Sequence, residues 1–344
     1  MKKAFLSVGV LVAASAAVAA TITYDMNGSG GWNDETRWVG GVVPAAGDTV
    51  EIPSGTAVAT EADKAKITSV KVNLVNADSV LSISPSTEWN PMFKNSYLMG
   101  CGRLELSSST KNTMLFDYNM STFTGDIVVN SGKIAAIYET HALGRATALS
   151  GTTSLDNLPP GKVYIRAGAS LDVTGWGNGT GFSLGFKEIH IAGKYTGVQS
   201  AVYYPAGAIG LENWNGGTYP NAFRNIVLDD DAWISGHEGA NFGIAGASAT
   251  NLGRLDLHGY DLSLGCNSGR PWKILLKNVI VTNSVPTSGG HIYVDSAGSG
   301  TTHTLQVGTG VVFDPNVKIV AGTTGKIAPD NTGVQIGVDA ELVI

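Results

Sequence analysis

Leu255-Asp256-Leu257-His258-Gly259-Tyr260-Asp261-Leu262-Ser263-Leu264 places four leucines in two alternating pairs around a glycine. Alternation with a period of two puts each pair on one side of an extended chain, so the stretch reads as strand, turn, strand with one apolar face. Gly259 supplies the positive φ of a tight turn. The same figure recurs along the chain. Val163, Ile165, Ala169, Leu171 and Val173 surround the turn Ala167-Gly168. Leu305 and Val307 lead to Val311 and Phe313, then to Val317 and Ile319, and Val334, Ile336 and Val338 precede Leu342 and Ile344. A 3.6-residue period is almost absent. The best helical candidate is 139–149, where an irregular loop fits equally well.

Many short strands fit a sandwich, several barrels or a β-solenoid. Three features favour the solenoid. Strand-turn units continue without a Pro/Gly-rich linker, the strands carry few cross-strand charge pairs, and small residues and Asn occupy the bends. One coil cannot bury its inward Val, Ile and Leu alone, so repetition is a physical requirement of the architecture. The expected organisation is a single domain over 21–344, with a capping coil at 21–60 and further coils over 61–344. Between Gly193 and Asn225 the alternation weakens, which predicts an irregular loop insertion near 193–225.

The chain has 344 residues, 43% of them hydrophobic and only 15% charged, with 45 glycines. That composition excludes a disordered chain. The net charge is −6, and without Lys2 and Lys3 it would be −8, so no basic patch invites nucleic acid. Met1-Lys2-Lys3, the apolar run 4–12 and the small residues 13–20 read as a secretory signal peptide cleaved after Ala19 or Ala20. No later stretch is long and apolar enough for a membrane helix. The expected location is outside the cell: at the surface, associated with an outer membrane, or released.

Several stretches resemble a known family. Gly102-Arg103-Leu104-Glu105-Leu106, then the run from Phe123-Thr124-Gly125-Asp126 to Gly132-Lys133-Ile134, then Ala142-Leu143-Gly144, are similar to the autotransporter-associated β-strand repeat of exported bacterial passenger domains. Ile189-His190-Ile191-Ala192-Gly193, Gly207-Ala208-Ile209, Asn225-Ile226-Val227-Leu228, Ala232-Trp233-Ile234 and Leu255 to Leu262 resemble coils of the same proteins. Trp32 to Trp38, Pro44, Gly47-Asp48-Thr49-Val50 and Ile52 resemble their opening coil. The resemblance implies a right-handed parallel β-helix (an all-β β-solenoid), exported and displayed or released. Such proteins often carry a C-terminal membrane barrel. The run ending at Ile344 lacks alternating membrane strands, so three expectations stand: a translocator or anchor on another chain, one in a missing C-terminal part, or a protein that is simply secreted.

Candidate chemistry is sparse. Asp229-Asp230-Asp231 is the sharpest charge cluster, and grouped carboxylates on β-helices can cleave glycosidic bonds or hold Ca²⁺. Successive residues of a strand-turn point different ways, so a solvated turn between Leu228 and Ala232 is the simpler expectation. The nearest base is Arg224, five residues before Asp229. His237-Glu238 reads as a polar pair in a Gly-rich loop, and His258 as a turn residue. His141, His190, His291 and His303 are scattered singly. HExxH, paired CxxC, Walker and Gly-x-Ser-x-Gly patterns are missing, so the sequence predicts no metal and no cofactor.

Aromatic residues concentrate in the middle: Trp176, Phe182, Phe186, Tyr195, Tyr203, Tyr204, Trp214, Tyr219 and Phe223. Either these rings pin a long loop, or Tyr203, Tyr204, Trp214 and Tyr219 offer stacking faces to a glycan. Trp32, Trp38 and Pro44 read as a cap over the first coil, with a sugar-binding tryptophan pair as the alternative. Cys101 and Cys266 are 165 residues apart. At roughly 20–30 residues and about 4.8 Å per coil they would lie on the order of 25–40 Å apart, too far for a disulfide. Two free, buried thiols are expected. Three functions follow: a non-enzymatic structural or adhesive β-helix, whose ligand would be a glycan or a host or cell-surface molecule; a glycan-binding module using the aromatic loop; and a polysaccharide lyase or hydrolase on the same fold.

Overall fold

The computed structural model describes residues 19–25, 28–86, 96–108, 113–116, 119–136, 161–172, 187–194, 207–211, 218–236, 241–246, 248–265, 273–285, 289–294, 303–321, 325–329 and 341–343. Among them the chain is all-β, and the extended ladders are parallel throughout. Ala57, Leu81, Leu104, Ile127, Val163, Ile189, Ile226, Leu255, Val281 and Phe313 are register partners in succession. All ten are buried. The chain travels 23 residues from Leu81 to Leu104, and 37 from Ile189 to Ile226, before returning to the same place. Nine such steps at about 4.8 Å give a rod of roughly 43 Å.

A second row, Ile134, Leu171, Ile209, Ile234, Leu264 and Val294, stacks in the same manner. Two further five-stranded parallel sheets lie along the chain, one from Thr21–Thr23 to Asn119–Phe123 and one from Thr218–Phe223 to Gly325–Pro329. Each coil thus contributes one inward aliphatic side chain per level to a row that only the neighbouring coils can cover. The interior at the level of Leu255 and Ile274 holds a void of about 10 Å³, at the lower limit for one water, so the centre is packed at that level. The arrangement is consistent with the expected parallel β-helix.

Two strands turn a corner without ending. Asp126–Ala136 pairs with Val163–Ile165 through its first half and with Ala169–Asp172 through its second. Asn225–Gly236 pairs likewise with Gly253–Asp256 and Leu262–Leu264. Because each such strand serves two rows, the rows share edges; they do not close into a barrel. Gly132, at φ 79°, makes the first of these corners. At the entry corner, a Cβ on Gly125 would run into the carbonyl of Gly102, and one on Gly161 into the carbonyl of Gly125. Backbones at this corner approach too closely for any side chain pointing along the stack.

Two expectations need correction. The segment 193–225 is not loop throughout: Ile209–Leu211 pairs with Ile234 and its neighbours, and Thr218–Phe223 pairs with Asn241–Ala245. Its alternation is hidden because Ile209-Gly210-Leu211 is only three residues long and Pro220 interrupts the next strand. Cys101 is free but exposed, not buried, with Sγ 3.4 Å from the Val75 carbonyl at a bend. Cys266, the candidate helix 139–149, Val173, the run Val334 to Val338 and the leader 1–18 lie outside the described residues.

At the N-terminal end, Tyr24, Trp32 and Trp38 are buried with edge-to-face ring contacts of 5.1 Å. Trp38 Nε1 donates to the Trp32 carbonyl at 2.9 Å, and Tyr24 Oη donates to the Thr56 carbonyl at 2.8 Å. Rings covered in this way offer no face to a sugar; they belong to the hydrophobic core of the first coils.

Candidate functional site

The outer face of the long ladder carries the densest polar constellation among the described residues. Register alone generates it. Asp126, Lys162, Glu188, Asn225 and Arg254 each directly precede an inward residue of the ten-member row, so they line up on the outside. Their charges alternate in sign from coil to coil until Asn225, which avoids like charges opposite one another. Lys162 Nζ lies 2.6 Å from Glu188 Oε1, and Asn225 Nδ2 donates to Glu188 Oε2 at 3.1 Å. Within single strands Arg103 pairs with Glu105 at 2.7 Å, and Arg254 pairs with Asp256. Cross-strand charge pairs are more frequent than the sequence suggested: Lys162 with Glu188 is 26 residues apart and Lys133 with Asp172, at 2.8 Å, is 39 apart, so each partner looks isolated when read in order.

His190 is the hub. Its Nε2 lies 2.7 Å from Glu188 Oε1 and its Nδ1 lies 2.7 Å from Asp229 Oδ1. The Tyr164 ring packs on it with centroids 4.8 Å apart, and the Arg166 guanidinium sits 5.0 Å above the Tyr164 ring. Burial opposes the imidazolium, but the hydrogen bonds to Glu188 and Asp229 outweigh it and the pKa is raised. The hydrogen bond with His190, assisted against burial by Lys162, pulls Glu188 down to about 2. Burial raises the Tyr164 phenol. Both imidazole nitrogens are engaged, so His190 offers no lone pair to an outside molecule while the network is intact.

The three aspartates are placed but not gathered. Asn225–Gly236 stays extended through them, yet Leu228 pairs with Ile191 and Ala232 with Gly193, so the three oppose Ala192 alone. This bulge aims them apart. Asp229 faces His190, with Arg166 Nη1 at 3.8 Å. Asp230 is exposed, and Asp231 accepts the Asp261 amide at 2.9 Å. Instead of a plain solvated turn, the run is a bulged corner whose first member joins a network. A base does lie beside it, Arg166, supplied from an earlier coil. Arg224, by contrast, is buried at a corner and donates to the Asn251 carbonyl at 3.1 Å.

His258 adopts φ 52° at the expected turn, with Nδ1 3.3 Å from the Leu228 carbonyl. His291 meets Asp261 at 2.9 Å. Tyr203, Tyr204, Trp214, Trp176, Phe182, Phe186, Tyr195, His141, His237 and Glu238 lie outside the described residues. Tyr219 is in the strand Thr218–Phe223, opposite Phe242. Phe223 is buried, as a pinning ring would be. No group of three or more His, Cys, Asp or Glu side chains among the described residues is arranged to hold a metal ion. Sequence reading missed His190 because its two carboxylate partners declare themselves only through register: one is two residues away on the same face, the other 39 residues on. Comparison with protein-family models, curated proteins and solved structures found no match.

Proposed function

We propose that this chain is an exported, non-enzymatic β-helical protein with a structural or adhesive role at or beyond the cell surface, similar in kind to an autotransporter passenger. The observation that carries the reading is the unbroken ten-residue row from Ala57 to Phe313. A rod of this kind holds a surface away from its base and repeats side chains at one-coil intervals, which suits attachment. The polar network supports the same reading. Its imidazole is spent on two carboxylates, and Asp229, Asp230 and Asp231 diverge, whereas hydrolysis needs two carboxyl groups facing one bond.

The test uses the purified chain from Thr21 onward. Incubated with bacterial cells and with immobilised mucin glycans, it is expected to bind at least one surface saturably. Screened over pectins, alginates and glycosaminoglycans with and without Ca²⁺, it is expected to release neither reducing ends nor unsaturated uronates. Turnover in that screen would replace this reading with the lyase or hydrolase. Absence of binding to every surface would leave a scaffold alone.

A further inference from the structure

The outer column that begins at Asp126 changes character beyond Arg254. Its next two members are Ile280 and Val312, register partners that directly precede the inward Val281 and Phe313. Both are exposed, and so is Val285, beside Ser284. Adjoining apolar side chains left uncovered mark a surface that meets something. A second outward column, Asp256, Thr282 and Asp314, runs about 7 Å from the first. Asp256 and Thr282 are register partners, and the Asp314 amide donates to the Val281 carbonyl at 2.8 Å, which carries the ladder on.

A groove of about 390 Å³ lies here, within the roughly 300–1,000 Å³ typical of small-ligand pockets. Its floor is one coil, Ile280, Thr282 and Ser284, with Leu252 at the Ile280 end. Arg254 of the preceding coil and Asp314 of the following one form its walls. The walls stand about 9.6 Å apart between backbones. That width admits a single hydrocarbon chain about 4 Å thick.

The two walls differ in charge. Arg254 Nη2 pairs with the buried Asp256, whose Oδ1 accepts the His258 amide at 3.0 Å and the Ser284 amide at 3.1 Å. That wall is a neutral pair. On the other wall Asp314 Oδ1 accepts the Asn316 amide at 2.9 Å, and its second oxygen has no partner among the described residues. An apolar floor ending at an unspent carboxylate suits a cation on a hydrocarbon stem. One fully free oxygen suits the point charge of an ammonium better than the two-pronged guanidinium. Ile280 and Asp314 are about 8 Å apart between backbones, one coil across and two residues along. A four-carbon stem with its ammonium bridges them. Thr282 Oγ1 lies out of solvent contact with no hydrogen-bond partner among the described residues. One χ1 rotation turns it towards the ammonium as a second acceptor.

We propose that this groove receives a lysine side chain from a partner protein, with its stem on Leu252 and Ile280 and its ammonium on the free oxygen of Asp314. The inference rests on the adhesive reading and names the group that the partner presents. The net charge of −6 adds a long-range pull on basic surfaces.

The test is an amide NMR titration of the chain from Thr21 onward with Nα-acetyl-lysine methylamide, its Nε-acetylated form and n-butylamine, alongside cell adherence. The lysine derivative is expected to bind saturably at millimolar concentration and to shift the amides of Thr282 and Asp314. The Nε-acetylated form, which lacks the charge, is expected to bind about tenfold more weakly or worse. Asp314→Asn is expected to cost the same factor. So is Ile280→Lys, which puts a competing ammonium in the groove from an exposed position, with far-UV spectrum and melting temperature unchanged. Absence of saturable binding, binding indifferent to both substitutions, or equal binding of the acetylated form overturns the site. n-Butylamine binding as tightly as the lysine derivative overturns the assignment to a protein partner. If the site fails while adherence to cells persists, the adhesive reading stands without it. If adherence is also missing, both fall.

Discussion

His190 and Asp229 are 39 residues apart in the chain and 2.7 Å apart in space. One coil of the stack separates them, and the second imidazole nitrogen reaches Glu188 on its own strand at 2.7 Å. The imidazolium therefore ties two carboxylates across adjacent coils on a face where the backbone ladder already sets the spacing. Such a link strengthens the join between coils only while the ring is charged.

The raised pKa of His190 makes that join pH-dependent. A base whose folded pKa exceeds its unfolded value of 6.5 contributes stability fully below that value, and loses it as pH rises through the folded one. Glu188, drawn from 4.5 to about 2, contributes above 4.5 and loses its share as pH falls through about 2. His190→Gln should therefore destabilise most near pH 5.5, by about 1–2 kcal/mol once solvent screening of this partly exposed group is allowed for. The difference should shrink towards pH 9. Urea midpoints of both proteins at four pH values check this, and a difference independent of pH would show that the ring acts through packing alone.

Lys187 makes the opposite prediction. It stands at the corner position that Gly125 and Gly161 occupy in the two preceding coils, and its side chain runs back along the stack. Nζ donates to the Gly125 carbonyl at 2.7 Å and lies 5.0 Å from the Phe123 ring. Burial lowers its pKa from 10.5 to about 7, with Asp126 resisting. The cost of the buried charge is complete below about pH 7 and vanishes as pH rises towards 10.5, the unfolded value. Lys187→Met should be more stable than the parent at pH 6, by about 1–3 kcal/mol after the lost hydrogen bond is subtracted, with the gain fading by pH 9.5. Denaturation at the two pH values decides it.

Cys101 is exposed, and its sulfur meets a carbonyl and no second sulfur. It should react with a thiol reagent in the folded protein within the time of mixing, and Cys101→Ser should change stability by no more than about 0.5 kcal/mol. Peptide mapping of the labelled, unreduced protein identifies the site. Recovery of a Cys101–Cys266 disulfide peptide would be incompatible with the stacked coils.

The inward rows were legible because their chemistry is uniform. Leu255, Leu262, Leu305 and Phe313 alternate with outward residues, and every one is buried. The outward face was not, for two reasons. Along the ten-member row the repeat varies from 23 to 37 residues, so the residue opposite His190 cannot be found by counting a fixed period. The bulge at Asp229 to Asp231 then shifts register by two residues inside one continuous strand, which alternation alone reads as a turn. Polar partners depend on register to the residue, whereas burial depends only on side-chain type. The short strand Ile209–Leu211 failed for a simpler reason: three residues give alternation too little length to register.

The corner column supplies the sharpest test of the stack. A methyl group on Gly125 would meet the Gly102 carbonyl, backbone on backbone, and neither strand can withdraw because each is paired above and below. Gly31 lies in the strand Ser29–Gly31, yet a Cβ there meets nothing within 4 Å and its φ is not in the left-handed region. Gly125→Ala should therefore cost more than about 3 kcal/mol, and Gly31→Ala should stay within about 0.5–1 kcal/mol of the parent or gain slightly from a stiffer unfolded chain. Since the Gly125 carbonyl also receives Lys187, the first substitution should expose that amine to faster modification by an acylating reagent, and the second should not. Equal stability for the two variants would mean that the coils do not approach at this corner as described.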